Sequence, residues 1–254
     1  MRMRKSWFLI ALFVLIIASS LSLDVSYIDI YQGVPSLIRL FGDAIPPDLS
    51  IIEIGVLAIF ETIQIAFLGT AFGAVIALPM AFAGARNIAR RRTVAASRVI
   101  LAKLRTLPSL LWAVIFVIMV GTGPLAGVLA VTMYTVGYLG KLQYEAIEGI
   151  SSEPLDAIAS TGANKLQLIR FVALPESANN LLSQILFMFE YNVRSSAILG
   201  FVGAGGIGFY LSSYLRFMEY DKVLTLLIIT FFTLLIFDYL SIIVRDRYLI
   251  RRIT

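Results

Sequence analysis

The sequence of 254 residues contains no cysteine and no histidine. Their absence excludes disulfides, thiolate or imidazole metal sites, cysteine nucleophiles and any catalytic triad that needs an imidazole base. Charge is also scarce, because 15% of the residues are charged whereas a soluble domain carries roughly a quarter. We therefore predict no metal site and no catalytic residue, although serine–lysine or carboxylate chemistry stays formally open.

Long apolar runs take the place of the missing charge. Hydrophobic residues make up 59% of the chain, and its mean hydropathy is +0.89. Lipid satisfies no backbone hydrogen bond, so non-alternating runs of about 20 residues predict spanning helices rather than barrel strands. The predicted fold class is all-α, a polytopic membrane bundle of six transmembrane helices. The predicted spans are 7–23, 51–85, 107–120, 125–142, 178–201 and 223–244.

The first fifty residues are set apart as a first transmembrane helix and an external loop, and residues 51–254 as the main membrane domain. The first run also has features of a signal peptide, but its length favours a retained span. Residues 24–49 contain Pro35, Pro46 and Pro47 and are predicted to form an exposed loop with a short helix over 35–41. In the second span, Gly69 and Gly73 predict a close helix contact.

Basic residues are distributed unevenly between the predicted loops. When six spans are threaded, 17 of the 21 Lys and Arg residues fall on one side and three on the other, with Arg194 inside the fifth span. Loops rich in Lys and Arg stay in the cytoplasm. Both termini, the polar segment 144–171 and a basic tail over 245–254 are therefore predicted to be cytoplasmic. The predicted location is the plasma (inner) membrane, and no nucleic acid partner is expected.

The polar segment at about 150–175 predicts one short helix across the cytoplasmic side. Pro154 suits a first helical turn, Ser152 or Glu153 can cap it, and Gly162 can end it in a left-handed conformation. The helix is predicted over 154–161. Its apolar face is predicted to carry Leu155, Ile158 and Ala159.

The same segment resembles the cytoplasmic signature of ABC importer permeases. That signature reads Glu-Ala-Ala, three residues, Gly, twelve residues and Pro, with a Leu before the Pro. The matching residues here are Asp156, Ala157, Ile158, Gly162, Ala163, Leu174 and Pro175. The spacing matches throughout, and an Asp and an Ile are mild departures. Further segments are similar to the phosphonate permease branch of that family: Ala81 to Asn87, Arg105 to Ala113, Gly121 to Ala130, Thr135 to Lys141 and Asn192 to Gly208.

The resemblance implies a type I ABC importer permease core. Its implied partners are a second permease copy, two cytoplasmic ATPases that seat the short helix, and an extracytoplasmic substrate-binding protein. The implied cargo is a phosphonate, a phosphite or a related phosphorus oxyanion. No cofactor is expected in this chain, which lacks a G-x-x-x-x-G-K-[ST] phosphate loop, so ATP and Mg²⁺ would bind to the partner. The alternatives are a permease for methionine or another amino acid, an intramembrane enzyme, and a channel or secondary carrier.

Two polar features within the membrane domain are candidates for the translocation path or its gate. Glu190, Asn192 and Arg194 lie in the fifth span, where charge is expensive and usually faces a partner or a wet path. Glu190 and Arg194 are four residues apart, so they can pair along one helix face. Gly203, Gly205 and Gly206 fit a dinucleotide-binding pattern, but no strand precedes them, so a turn or an outer gate is predicted instead.

Overall fold

The computed structural model describes residues 2–23 and 26–244, which form eleven α-helices, three short 3₁₀ or π turns and no strand. The helices are α1 (Arg2–Ser22), α2 (Tyr27–Ala44), α3 (Ile52–Gly84), α4 (Arg91–Thr106), α5 (Ser109–Val120), α6 (Pro124–Glu148), α7 (Ser152–Ala159), α8 (Lys165–Leu168), α9 (Leu174–Leu199), α10 (Ile207–Arg216) and α11 (Tyr220–Val244). The predicted all-α class is confirmed. The predicted basic tail over 245–254 lies outside the described residues.

The chain divides into two compact units, Met1–Pro46 and Pro47–Thr254. In the first unit, α2 replaces the predicted loop with its short helix over 35–41. The hydroxyl of Ser26 caps α2 by accepting the N–H of Asp29 at 3.2 Å, and Pro35 lies inside the helix. The prediction gave too much weight to proline. Exposed apolar side chains recur along α2 at helical spacing, at Tyr31, Val34, Ile38 and Phe41.

Among the described residues of the second unit, four stretches are long and apolar enough to cross a membrane: Leu49–Gly84, Pro124–Glu148, Lys165–Val202 and Tyr220–Val244. The predicted third span, 107–120, is wrong as a single crossing. Its helix α5 has 12 residues, about 18 Å at 1.5 Å per residue, against about 30 Å of hydrocarbon. α4 and α5 are long and apolar enough only when taken together, and because they are bent by 84° they form either a broken span or a re-entrant loop. Pro108 explains the break, because the residue before a proline disfavours helical geometry. Six spans stay a prediction.

Glycines let α3 and α6 pack side by side. A Cβ added at Gly69 would lie 2.5 Å from Val131, and one at Gly73 would lie 2.5 Å from Thr135. Any larger residue would push the helices apart, so the predicted close contact is confirmed. α9 packs against both helices, with Leu181, Met188, Val193 and Leu199 buried.

The beginnings of α3 and α11 are joined by polar contacts. The hydroxyl of Thr225 donates to the carbonyl oxygen of Asp48 at 2.8 Å, and the N–H of Asp48 donates to the carbonyl of Asp221 at 3.3 Å. Hydrogen bonds from Ser50 also hold the pKa of the Asp48 carboxyl below its ordinary value. These contacts hold the start of α11 against the segment that leads into α3.

Candidate functional site

The predicted short helix is present as α7, but it begins and ends two residues earlier, over Ser152–Ala159 instead of 154–161. Its cap is Ser151, whose hydroxyl accepts the N–H of Glu153 at 3.4 Å, and neither predicted cap residue serves. A cap one residue earlier still leaves Pro154 in the first turn, where its missing N–H costs nothing. Gly162 has φ +82°, so the predicted left-handed turn is confirmed.

One edge of α7 anchors it to the bundle. Leu155 is buried and Ile158 packs beside it, in an apolar cluster with residues of α3, α6, the π turn Ile169–Ala173 and α9. Ala159 was predicted on this face but is exposed, because it lies at the end of α7 and does not join the apolar cluster. Two anchors one turn apart therefore hold the helix and leave most of its surface outside the core.

The motif residues of this segment lie largely on that outer surface. Asp156, Ala157 and Gly162 are exposed, and a Cβ added at Gly162 would meet nothing within 4 Å. Ala163 is half-buried, while Leu174 and Pro175 are exposed in the first turn of α9.

A capping box follows Gly162. The side chain of Asn164 accepts the N–H of Gln167 at 3.0 Å, and the side chain of Gln167 accepts the N–H of Asn164 at 2.8 Å. This box was not predicted, although polar residues at positions i and i+3 are its usual signal. It starts α8 directly after the Gly162 turn, so both sides of that turn are ordered.

The backbone of the glycine-rich turn, Gly203–Gly206, lies close to side chains of neighbouring elements. Gly203, Gly205 and Gly206 have φ values of +90°, +82° and +72°. A Cβ would lie 2.9 Å from Thr122 at Gly203, 2.7 Å from Glu61 at Gly205 and 2.5 Å from Thr62 at Gly206. The turn therefore requires glycine for its conformation and also for its space.

Hydrogen bonds fasten this turn to α3 and to the start of α6. The N–H of Gly206 donates to Glu61 Oε1 at 3.1 Å, and the N–H of Ile207 donates to Thr62 Oγ1 at 2.9 Å. The N–H of Gly123 donates to the carbonyl of Gly203 at 2.8 Å. The predicted turn is confirmed, and its contacts fix three elements together.

Glu61 is a residue of the site that was not predicted from the sequence. The signal was present, because a carboxylate inside a long apolar run is costly in lipid and implies a partner or a wet surface. Half-buried Glu61 borders a cavity of about 360 Å³, which is also lined by Gln64, Phe67, Leu68 and Pro124. The carboxylate thus joins the glycine-rich turn to α3 at the border of a mostly apolar cavity.

Asn192 lies inside the bundle. It is fully buried, and its amide nitrogen donates to the hydroxyls of Thr70 and Thr135, both at 2.8 Å. These two threonines belong to α3 and α6, so Asn192 ties three helices together. Its geometry supports helix association and gives no contact with an open path.

Glu190 and Arg194 pair as predicted, at 3.1 Å, but the guanidinium also binds Asp238 of α11. One cation therefore faces two carboxylates. The side chains of Arg194 and Asp238 are 46% and 42% exposed, whereas that of Glu190 is 17% exposed. Asp238 lies 44 residues from Arg194 in the sequence, so helix spacing could not reveal the contact.

The known proteins that this chain resembles in sequence are membrane components of transport systems. The family described as "Binding-protein-dependent transport system inner membrane component" matches residues 73–253. A phosphite transport system permease protein of Stutzerimonas stutzeri is 37% identical over 218 residues, 85% of this chain and 79% of that protein. A phosphate-import permease protein of Mycolicibacterium smegmatis is 34% identical over 231 residues, 90% of this chain and 43% of that protein.

Solved structures agree on the fold. A chain from inward-facing conformations of the MetNI methionine ABC transporter superposes with a TM-score of 0.69. The two chains are 23% identical, and the match covers 78% of this chain and 98% of the other. At that identity the likeness concerns the arrangement of helices.

Proposed function

Because this chain belongs to the family of binding-protein-dependent transport system inner membrane components, we propose that it conducts a phosphite- or phosphonate-type oxyanion across the membrane. The chain is the permease subunit of an ABC importer, an inner-membrane transport subunit rather than an enzyme. Its family works with an ATPase and a substrate-binding protein. The proposed class of cargo is supported by the 37% identity to a phosphite permease along most of both chains.

The segment from α7 to the Gly162 turn is the contact for the partner ATPase in this proposal. Leu155 and Ile158 hold α7 to the apolar cluster, so a push on its exposed side would reach α3, α6 and α9 together. The exposed face carries Asp156 and Ala157. The bias of basic residues supports placing this segment, and both termini, in the cytoplasm. ATP and Mg²⁺ bind to the partner and not to this chain.

Two copies form the pathway in this proposal. Exposed side chains recur at spacings of four and three residues along α9, at Phe187, Tyr191, Arg194 and Ile198, and continue at Phe201 in the 3₁₀ turn Gly200–Val202 that follows it. A half-exposed ion cluster at the centre of such a stripe is unfavourable against lipid. A facing copy, or water between two copies, would supply the polar surroundings that one chain lacks. Purified complex should therefore contain two permease chains by native mass spectrometry, and a single chain would contradict this part.

The glycine-rich turn is proposed as the outer gate, which the hydrogen bond from Gly206 to Glu61 holds against α3. The ion cluster of Glu190, Arg194 and Asp238 is proposed to line the path below it. A passing oxyanion would compete with the carboxylates for Arg194, which explains how a strongly paired cation could still serve transport. Asn192 is left as a packing residue in this proposal, because both threonine contacts are internal.

Three substitutions made together separate these roles of the cluster. Arg194→Gln alone leaves two carboxylates without their cation and should lower thermal stability. The combination of Glu190→Gln, Arg194→Gln and Asp238→Asn removes every charge and should restore stability. If Arg194 serves the anion, the neutral triple variant folds yet takes up cargo poorly. Normal uptake by that stable variant would show that the cluster stabilises the fold and has no role in transport.

The cargo is tested with the permease, its ATPase and its binding protein in proteoliposomes. Phosphite or methylphosphonate should stimulate ATP hydrolysis and accumulate in the vesicles, while methionine should do neither. A methionine permease is the second candidate, since its fold is shared. Stimulation by methionine alone would overturn the proposed cargo and leave the importer assignment intact.

A further inference from the structure

Three arginines line a cavity of about 560 Å³ at the corner between α3 and α4, away from the glycine-rich turn and the ion cluster. Arg86 follows the end of α3, Arg91 begins α4, and Arg98 lies two turns further along the same helix. Ala89, Val94 and Ala95 supply the apolar remainder of the lining. We call this cavity the arginine pocket.

The arginine pocket carries excess positive charge. Glu148 at the end of α6 is already engaged there, because it accepts the backbone N–H of Arg86 at 2.6 Å and forms an ion pair with Arg98. The side chain of Arg86 is 75% exposed and lies 4.0 Å from Glu148. Arg91 is exposed and enters no ion pair within the part of the chain that the structure describes. Three cations against one carboxylate leave about +2 at this corner.

Arg98 is held in place before any ligand arrives. Its Nε donates to the carbonyl of Gly84 at 2.9 Å, and its guanidinium carbon lies 4.3 Å from the centre of the Tyr144 ring. A fixed guanidinium loses little conformational entropy when it binds an oxyanion. The pocket thus offers one positioned and two adaptable guanidinium groups beside an apolar floor.

We propose that the arginine pocket is a binding site for a phosphate group, whether free or carried by a lipid headgroup. Guanidinium groups match the paired oxygens of phosphate in geometry and charge, and a basic corner needed only for membrane orientation requires no cavity. Glu148 binds Arg98 closely and Arg86 only at 4.0 Å, so the exposed side chains of Arg86 and Arg91 are open to a ligand. This inference goes beyond the proposed cargo, because the pocket lies on neither candidate element of the path.

The experiment uses the absence of native cysteine in the full chain. Ala95→Cys places one thiol in the lining of the pocket, and Ala96→Cys places a matched, exposed thiol next to it on α4. The rate of maleimide labelling is measured for purified complex in detergent, with inorganic phosphate or with chloride at equal ionic strength. In a second arm the complex is in phosphatidylcholine vesicles with or without phosphatidylglycerol.

Phosphate at about ten times its dissociation constant should slow labelling of Ala95→Cys roughly tenfold, because the reagent reaches only unoccupied sites. Labelling of Ala96→Cys should not change, and Arg86→Gln with Arg91→Gln should abolish the protection. Protection by phosphatidylglycerol in the second arm would identify the lipid as the source, and protection by phosphate alone the free ion. No protection in either arm, or equal protection of both thiols, would overturn the proposal. Neither result depends on cargo transport.

Discussion

Two turns of this protein rely on glycine for a positive φ, yet they differ in their surroundings. At Gly162 an added Cβ would meet nothing within 4 Å, whereas at Gly206 it would lie 2.5 Å from Thr62. The Gly162 turn ends a helix held by two apolar anchors and has an exposed surface. The glycine-rich turn is enclosed by α3 and the start of α6. The Gly162 turn is exposed, and the glycine-rich turn packs against neighbouring elements. A substitution at Gly162 should therefore affect contact with a partner, whereas one in the glycine-rich turn should affect stability.

Gly206→Ala should have the largest effect. It combines an unfavourable φ with a clash in a packed site, which together should cost at least about 3 kcal/mol of folding free energy. Thermal unfolding of the detergent-purified protein measures the loss. Gly121→Ala is the matched control, since Gly121 also has a positive φ but faces open space. Equal melting temperatures for the two variants would show that packing adds nothing, and the contrast between the turns would fail.

Thr62→Val tests the hydrogen bonds of the glycine-rich turn without changing its shape. Thr62 is fully buried, and its hydroxyl accepts the N–H of Ile207. Removing that acceptor strands a buried donor at a cost of about 2 kcal/mol. Thr230→Val is a suitable control, because the Thr230 hydroxyl bonds only within its own helix. A Thr62→Val protein as stable as the control would mean that the bond between Thr62 and Ile207 does not fasten the turn.

Gly162→Val should affect function more than folding. The positive φ penalises valine by about 1 kcal/mol in a site with free space, so the protein should insert and purify normally. Cargo-stimulated ATP hydrolysis by the assembled complex should fall severalfold, because the end of α7 is displaced. Gly162→Asn should retain it, since asparagine tolerates left-handed geometry. Full stimulation with valine would argue against coupling through α7.

Ser151→Ala should have the smallest effect, about 0.5–1 kcal/mol, through loss of the α7 cap. The exposed end of α7 should fray, and its amides should exchange faster with solvent by hydrogen–deuterium mass spectrometry. Exchange in α9 should stay unchanged. Faster exchange throughout the bundle would mean that α7 is part of the cooperative core, contrary to the contrast drawn between the two turns.

Much of the fold could be predicted from patterns of residues close together in the sequence. Apolar runs predicted the long helices, and Gly69 and Gly73 predicted the close contact of α3 with α6. Errors arose where a local feature was interpreted without its context. Pro35 was expected to limit the helix but lies inside α2, and α5 was predicted as a complete span but has only 12 residues. Ala159 was placed on the wrong face because its exposure depends on which neighbours α7 meets.

The sequence by itself determined the membrane environment, the left-handed turn at Gly162 and the family, because these depend on composition, local dihedral preference and motif spacing. Only the tertiary structure decided which charges meet. Asp238 joins Arg194 across 44 residues, Glu61 reaches Gly206 across 145, and Glu148 holds the corner of the arginine pocket. Such contacts depend on the packing of helices distant in the chain, and no short-range pattern encodes that packing.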